Sequence, residues 1–189
     1  AWTVMMLPAF VLIIHDYRKP EVIRAGLKFL AFSIVGNLGI LAAVLILYEV
    51  SGNFSFAGAT AAMGTLLATR PWLAHLTFGL FAFGFLTKLG IYPMGDWLPD
   101  AHPAAPSPVS ALLSGVMIKL GAYDLAYMSI TLLVAQGASP NAMIVWGTGL
   151  AALGGLSVLL GGAAAAGNDD TKRLLAYSSV GQSGYILMC

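Results

Sequence analysis

Long apolar runs, unbroken by charge, dominate the pattern of this chain. No charged residue lies between positions 29 and 48, and none lies between Asp124 and Asp169. A helix that crosses the roughly 30 Å hydrocarbon layer of a bilayer needs about 20 apolar residues, so the second run is too long for one crossing. The turn-forming residues 136–140 divide it. Because the polar alternation of barrel strands is missing, the pattern predicts an all-α polytopic membrane protein.

Six membrane segments are predicted, and together they form a transmembrane helix bundle. Four are whole, at residues 29–48, 76–92, 108–135 and 142–166. The other two, at residues 1–14 and 174–189, reach the ends of the chain as apolar stretches and are expected to be truncated. We therefore expect residues 1–189 to be a single membrane domain and a fragment of a larger subunit.

The composition supports this interpretation and excludes other classes of protein. Hydrophobic residues make up 59% of the 189 residues and charged residues only 9%, whereas a soluble domain carries roughly 25% charged residues. The net charge of +1 provides no basic surface for nucleic acid. The single cysteine, Cys189, cannot build a disulfide or metal framework within the chain. No flavin, haem or iron–sulfur ligation pattern is present, so no cofactor is expected.

Basic residues predict the orientation of the segments. They cluster in the connections after the first and the fifth segment, as Arg18, Lys19, Arg24 and Lys28 and as Lys172 and Arg173. The connections between these two hold only Arg70. Counting the crossings places both basic connections on the same face, and their excess of Lys and Arg predicts that this face is cytoplasmic.

Two lysines fall inside predicted segments. Lys88 is twelve residues beyond Leu76, and Lys119 is eleven residues beyond Pro108, so at about 1.5 Å per residue both lie near mid-depth. A charge at that depth costs about 2.5–3.5 kcal/mol on insertion scales, which favours a place in an ion or proton path. A desolvated lysine gains or loses its proton readily when a neighbouring charge moves. The alternative is structural, in which each lysine pairs with a buried acid and locks the bundle.

The segment that carries Lys88 is predicted to be a broken helix. Gly90 and Pro93 follow the lysine within five residues, and prolines recur at positions 99, 103, 106 and 108. Broken helices in membranes mark ion or substrate sites, because freed carbonyls and helix ends face a cavity. The alternative is that these prolines only shape a re-entrant loop.

Two further polar residues are candidates for a proton relay. His102 lies among prolines at the start of a segment, where a capping or interfacial position explains it as well as proton transfer does. Asp124 is the only carboxylate inside a whole segment. It follows Lys119 by five residues, about 140° around a regular helix. The two should therefore not pair unless the helix is distorted at Gly121.

The stretch from Lys88 to Lys119, KLGIYPMGDWLPDAHPAAPSPVSALLSGVMIK, resembles the proton-conducting antiporter-like subunits of respiratory complex I, Mrp-type sodium/proton antiporters and membrane-bound hydrogenases. Residues 170–179, DTKRLLAYSS, resemble a second block of that family, and the resemblance extends over essentially the whole chain. It implies a fold of inverted helix repeats, of which this chain would cover the fifth to the tenth helix. By this resemblance Lys88 matches the lysine at the break of the seventh helix, Lys119 the relay lysine of the eighth, and His102 the histidine of the Trp-Leu-Pro-Asp-Ala-His motif.

Several positions depart from the pattern of that family. Thr3 stands where the family usually carries a glutamate that tunes the lysine of the seventh helix. Gly95 and Gln182 stand where histidines are frequent, and Asp124 and Tyr127 replace the more usual Gly and Arg. Without a carboxylate at position 3, the lysine of the seventh helix loses the partner that the family provides.

The resemblance implies a proton-translocating or sodium/proton-exchanging membrane subunit, with Lys88, Lys119, His102 and Asp124 as its proton relay. Such a chain is the non-redox part of an oxidoreductase complex of the NADH dehydrogenase or hydrogenase type, or part of an Mrp-type complex. Its partners would be other membrane and peripheral subunits and the lipids of a prokaryotic cytoplasmic membrane, not nucleic acid. The alternative is a structural or coupling subunit that keeps the fold and no longer conducts, which Thr3 favours and the two lysines oppose.

Overall fold

The computed structural model describes residues 2–189, with side chains from residue 3 onward. This part of the chain contains helices and no strands, which confirms the all-α fold class. The helices are α1 (Trp2–Ile13), α2 (Pro20–Ser51), α3 (Phe56–Thr69), α4 (Pro71–Leu89), α5 (Leu98–Ala104), α6 (Ser107–Leu112), α7 (Ile118–Met128), α8 (Pro140–Ala166) and α9 (Thr171–Met188). Two π-helical segments, Leu113–Met117 and Ser129–Val134, join α6 to α7 and extend α7.

The local sequence explains where the helices begin and end. The side chains of Ser139 and Asp170 accept hydrogen bonds from backbone amides in the first turns of α8 and α9, as helix-capping residues do. Proline occupies the first turn of α2, α4 and α8, where its missing N–H costs nothing. Gly52 and Gly90 end α2 and α4 with φ angles of 70° and 79°.

Four helical stretches are long and apolar enough to cross a membrane, namely Pro20–Ser51, Pro71–Leu89, Ser107–Val134 and Pro140–Ala166. They correspond to the four whole segments that the sequence predicts, so that prediction is confirmed. The two segments expected at the ends of the chain correspond to α1, with 12 residues, and α9, with 18 residues. The apolar runs are therefore sufficient to predict these four helices, without any knowledge of tertiary contacts.

One helix, α3, was not predicted from the sequence. Its 14 residues span about 21 Å, which is too short to cross the hydrocarbon layer. Ser55 caps its first turn by accepting a hydrogen bond from Gly58 N at 3.0 Å, and the Phe56 ring lies 5.3 Å from the Tyr127 ring. Helix α2 begins at the first basic connection, and α3 follows the other end of α2. Helix α3 therefore lies on the side of the bundle opposite the two basic connections.

Helix α4 occupies the centre of the bundle. Its most apolar stretch is 61% buried, against 28% for α2 and 11% for α8. Glycines bring α2 and α4 together: a Cβ at Gly39 would lie 3.0 Å from the Leu80 carbonyl oxygen, and one at Gly36 would lie 3.3 Å from that of Gly84. The helix that carries Lys88 is therefore the one most enclosed by protein.

The two basic connections lie on the same face of the bundle, as the count of crossings predicts. Residues 16–28 and 167–173 contribute the walls of one cavity of about 870 Å³, together with Asp100, Pro103 and Ala104. We call this cavity the basic-face vestibule. On its rim the Lys19 ammonium lies 2.8 Å from the Asp16 carboxylate and, through this hydrogen bond, lowers the pKa of Asp16. That this face is cytoplasmic stays a prediction.

Candidate functional site

The helix break predicted after Lys88 is present. Helix α4 ends at Leu89, Gly90 follows with a φ of 79°, and the chain becomes helical again at Leu98. Lys88 therefore occupies the last turn of the 19-residue helix α4 and not the middle of a continuous helix. The partial negative charge at a helix C-terminus stabilises a cation in that turn.

Side chains from outside α4 satisfy the backbone groups that the break sets free. The indole Nε1 of Trp97 donates a hydrogen bond to the Thr87 carbonyl at 2.9 Å. The Tyr92 amide donates to the Ser157 hydroxyl of α8 at 3.0 Å. Unpaired backbone groups are costly in a bilayer, so these two bonds make the break an ordered part of the fold.

The break also requires glycine at position 95. A Cβ there would overlap the backbone of Gly90, including its carbonyl oxygen and Cα. The backbone amide of Gly95 donates instead to the Ile91 carbonyl at 2.8 Å. A histidine at this position, which the resemblance leads one to expect, does not fit the turn that this chain forms.

Lys88 is deeply buried beside aromatic rings. Only 4% of the residue is exposed, and its Nζ lies 5.0 Å from the centre of the Phe29 ring of α2, a distance at which a cation is attracted to the ring face. The Phe29 ring in turn contacts the Trp97 ring, with centroids 5.1 Å apart. Within residues 2–189 no carboxylate forms an ion pair with Lys88, and Thr3 is exposed on α1. The structural alternative of a buried lysine–acid pair therefore has no support in the described chain.

His102 is buried in α5 with one ring nitrogen satisfied. The residue is 3% exposed, and its Nδ1 lies 2.6 Å from the Ser110 hydroxyl. Its Nε2 is buried and has no hydrogen-bond partner among the described residues. Lys172 of α9 lies close to the end of α5, and its Nζ donates a hydrogen bond to the Ala105 carbonyl at 2.8 Å. A buried imidazole nitrogen without a partner is able to take or give a proton when water or another group reaches it.

Lys119 lies level with Lys88 but on another side of the bundle. Two residues further on, Gly121 faces α4 so closely that a Cβ there would lie 3.0 Å from both the Leu89 amide and the Phe85 carbonyl oxygen. Two residues correspond to about 200° around a helix, so Lys119 points away from α4. It is exposed on the surface of the described chain. The structure does not bring the two lysines together, and their depth in the membrane stays a prediction.

Asp124 is half-buried at the edge of a second cavity. This cavity, of about 260 Å³, lies between α2, α3, α4 and α7 and has room for several water molecules. Asp124 and Lys119 lie on the regular helix α7, and no ion pair joins them in the described chain, as their 140° separation predicts. The distortions of this segment lie on either side of α7, in the two π-helical segments, and not at Gly121.

A cluster of four charged residues at the break was missed from the sequence. The Lys28 ammonium lies 2.7 Å from an oxygen of Asp96 and 2.7 Å from an oxygen of Asp100. Arg173 of α9 lies 3.7 Å from the other oxygen of Asp100. From the sequence alone, Lys28 is interpreted only as one of the basic residues that predict the orientation of the segments. The two acids, placed either side of Trp97 in an apolar region, were the available signal, because such acids need a nearby base.

Comparison with known proteins gives the family. A model described as NADH:quinone oxidoreductase/Mrp antiporter, TM, matches residues 1–189. Hydrogenase-4 component B of Escherichia coli (strain K12) is 38% identical over 184 residues, covering 97% of this chain and 26% of that protein. NAD(P)H-quinone oxidoreductase chain 4 2 of Thermosynechococcus vestitus is 35% identical over 187 residues, covering 99% of this chain and 33% of that protein.

The fold is shared with a solved structure as well. A chain of the membrane-bound sulfane sulfur reductase (MBS), an archaeal respiratory membrane complex, superimposes with a TM-score of 0.83 at 24% identity, over 99% of this chain and 37% of that one. That likeness concerns the fold alone. This chain spans roughly a quarter to a third of the length of the two relatives. With a family match along its whole length, the chain belongs to the NADH:quinone oxidoreductase/Mrp antiporter transmembrane family.

Proposed function

We propose that this chain is the part of a proton-translocating membrane subunit, in a respiratory or hydrogenase-type complex, at which Lys88 holds the transferred proton. The observation that carries the proposal is the position of Lys88. It is 4% exposed, lies at the C-terminal end of α4 where the helix breaks, and contacts an aromatic ring instead of a carboxylate. An amine so enclosed has no fixed counter-charge in the described chain, so its protonation responds to any charge that approaches or leaves.

Protons would reach Lys88 from the basic face through His102. Pro103 and Ala104, the next two residues of α5, line the basic-face vestibule, while the Nε2 of His102 is buried and unpartnered. A water molecule that enters from the vestibule could exchange a proton with this nitrogen. His102 would thus be the step between the vestibule and the break.

Lys119 would receive the proton and pass it on. A charge at mid-depth is costly against lipid, so we propose that the exposed side of Lys119 faces another segment of the full subunit or complex. Asp124, about 7.5 Å further along the helix axis, would be the next acid on this helix, beside the 260 Å³ cavity. The same geometry serves sodium/proton exchange if the complex couples the two ions.

A structural or coupling subunit that does not conduct is the second candidate. It is favoured by the exposed Thr3, which stands where the resemblance leads one to expect the glutamate that tunes Lys88. Replacing Thr3 by Glu separates the two candidates. A large gain in transport indicates that the path in this chain is crippled, as the second candidate requires, and unchanged transport indicates that another group, such as Asp124, serves Lys88.

Transport by vesicles that contain the intact complex tests the proposal. Lys88→Ala should abolish proton uptake, because no other described amine lies in the break. Arg70→Ala removes an exposed positive charge on the opposite side of the bundle and should leave uptake unchanged, with equal assembly of both variants verified by blotting. Uptake that persists in Lys88→Ala contradicts the role of Lys88, and uptake that disappears without sodium assigns the exchange reaction.

A further inference from the structure

The Lys28 ion-pair cluster, formed by Lys28, Asp96, Asp100 and Arg173, joins four parts of the bundle at the break. Lys28 belongs to α2, Asp96 lies in the turns between α4 and α5, and Asp100 lies on α5. One ammonium is shared by the two carboxylates at 2.7 Å each. Arg173 adds a weaker contact from α9 at 3.7 Å.

This cluster differs from ordinary surface ion pairs, which contribute little to stability. The side chain of Lys28 is only 29% exposed and that of Asp100 36%, whereas those of Asp96 and Arg173 are 63% and 51% exposed, so the partly shielded pair of the cluster is Lys28–Asp100. The two acids flank Trp97, which is 1% exposed and donates its indole N–H into the end of α4. The cluster therefore fixes both ends of a short stretch whose central side chain is fully enclosed.

The cluster is one residue away from the ring that contacts Lys88. Phe29 directly follows Lys28 and is completely buried. Its ring packs edge-on against Trp97, with centroids 5.1 Å apart, and lies beneath the Lys88 ammonium at 5.0 Å. Each of the two rings is thus adjacent in sequence to a member of the ion-pair cluster. Loss of the Lys28 ammonium would free the turns that carry Trp97 from α2, and the Phe29–Trp97 contact would lose its support.

We propose that Lys28 is a positioning residue for proton transfer at Lys88. By holding Asp96 and Asp100, it keeps Trp97 packed on Phe29 and so fixes the aromatic surface on which the Lys88 ammonium lies. The inference rests on the proposed function of Lys88. It assigns to Lys28 an action through Phe29 and Trp97 and no proton of its own.

The test uses vesicles that contain the full complex and compares Lys28→Gln, Lys28→Arg and Arg18→Gln. Arg18 is an exposed cation of the same connection that belongs to neither the cluster nor the vestibule wall. Uptake, normalised to assembled complex, should fall at least tenfold in Lys28→Gln and stay unchanged in Arg18→Gln. It should return to within about twofold in Lys28→Arg, because a guanidinium also forms charge-assisted hydrogen bonds with carboxylates. If Lys28→Arg is as inactive as Lys28→Gln, or if Lys28→Gln is fully active, the inference is overturned.

Amide hydrogen exchange of the same samples reports on the break independently of transport. Exchange of the backbone at residues 90–98 should accelerate in Lys28→Gln and not in Lys28→Arg, while residues 71–86 of α4 stay protected. Adding Asp96→Asn and Asp100→Asn to Lys28→Gln should lower uptake no further, since groups that act through one set of contacts are not additive. Faster exchange with undiminished uptake would overturn the inference and leave Lys88 in place. An active Lys88→Ala variant would instead remove the proposed function on which the inference rests.

Discussion

The surroundings of Lys88 and Lys119 differ far more than their positions along the sequence suggest. The sequence predicts a similar depth for both, yet Lys88 is 4% exposed whereas Lys119 is on the open surface of the described chain. The region of Lys88 is held by bonds from α2, α5 and α8. The region of Lys119 is a nearly continuous helix with two π-helical segments that contacts α4 closely at Gly121.

This difference teaches that the depth and the direction of a membrane lysine have separate causes. Depth follows from the count of residues along a helix, which the sequence provides. Direction depends on which side of the helix finds a partner, and here the glycine at position 121 decides it by allowing α4 to approach.

The largest effect is expected from Gly95→His in the region of Lys88. The new Cβ would overlap the Gly90 backbone. Because backbone cannot move aside easily, the free energy of unfolding should fall by about 3 kcal/mol or more. Gly115→His, in the helix of Lys119, is the matched control, because nothing lies within 4 Å of a Cβ at Gly115. Thermal unfolding of the full-length subunit in detergent, followed by helical circular dichroism, should separate the two variants clearly. Equal stability would mean that the break is not as tightly packed as described.

A smaller loss of stability is expected from Gly121→Ala, at the place where the two regions meet. Its control, Gly115→Ala, is expected to gain stability. Gly121→Ala places a Cβ 3.0 Å from two backbone atoms of α4, so the helices must separate, at a cost of about 1–2 kcal/mol. Gly115→Ala meets no such obstacle and should gain up to about 1 kcal/mol from helix propensity. The same unfolding assay measures both changes. Stabilisation by both alanines would contradict the close contact between α7 and α4.

The smallest effect is expected from Ser157→Ala, which removes the acceptor for the Tyr92 amide at the break. The loss should be about 1 kcal/mol, the usual net value of one hydrogen bond. Ser129→Ala is its counterpart in the segment that continues the helix of Lys119. Among the described residues its hydroxyl bonds only to the Leu125 carbonyl of the same stretch, so we expect little change. Hydrogen exchange at Tyr92 gives a direct measure, and unaltered protection there in Ser157→Ala would show that the Ser157 hydroxyl does not hold the break.

Most of the fold was accessible from the sequence because apolar length controls membrane insertion. The four crossing helices, the break after Lys88 and the common face of the two basic connections all follow from runs, prolines and charges that a linear reading detects. Helix α3 was not predicted, because its 14 residues are apolar yet too few to cross the membrane. Its place depends on contacts such as that between Phe56 and Tyr127, which join residues far apart in the chain.

The candidate site was accessible only in part. Lys88 and His102 were found because a charge or an imidazole in an apolar segment stands out. Lys28 was not, because a lysine near the start of a helix is the normal sign of a basic face. Its two acids lie about 70 residues later in the chain, and only folding brings them within 2.7 Å of its ammonium.

By itself the sequence determined that this chain is a bundle of membrane helices with an interrupted one near Lys88, since insertion into lipid depends on the apolarity of consecutive residues. Only the tertiary structure decided that Lys88 lies on an aromatic ring, that Lys119 faces outward and that Lys28 pairs with Asp96 and Asp100. These outcomes depend on which surfaces of separate helices meet, and small residues such as Gly36 and Gly121 allow that close approach. Such contacts join residues distant in the chain, so no local pattern specifies them.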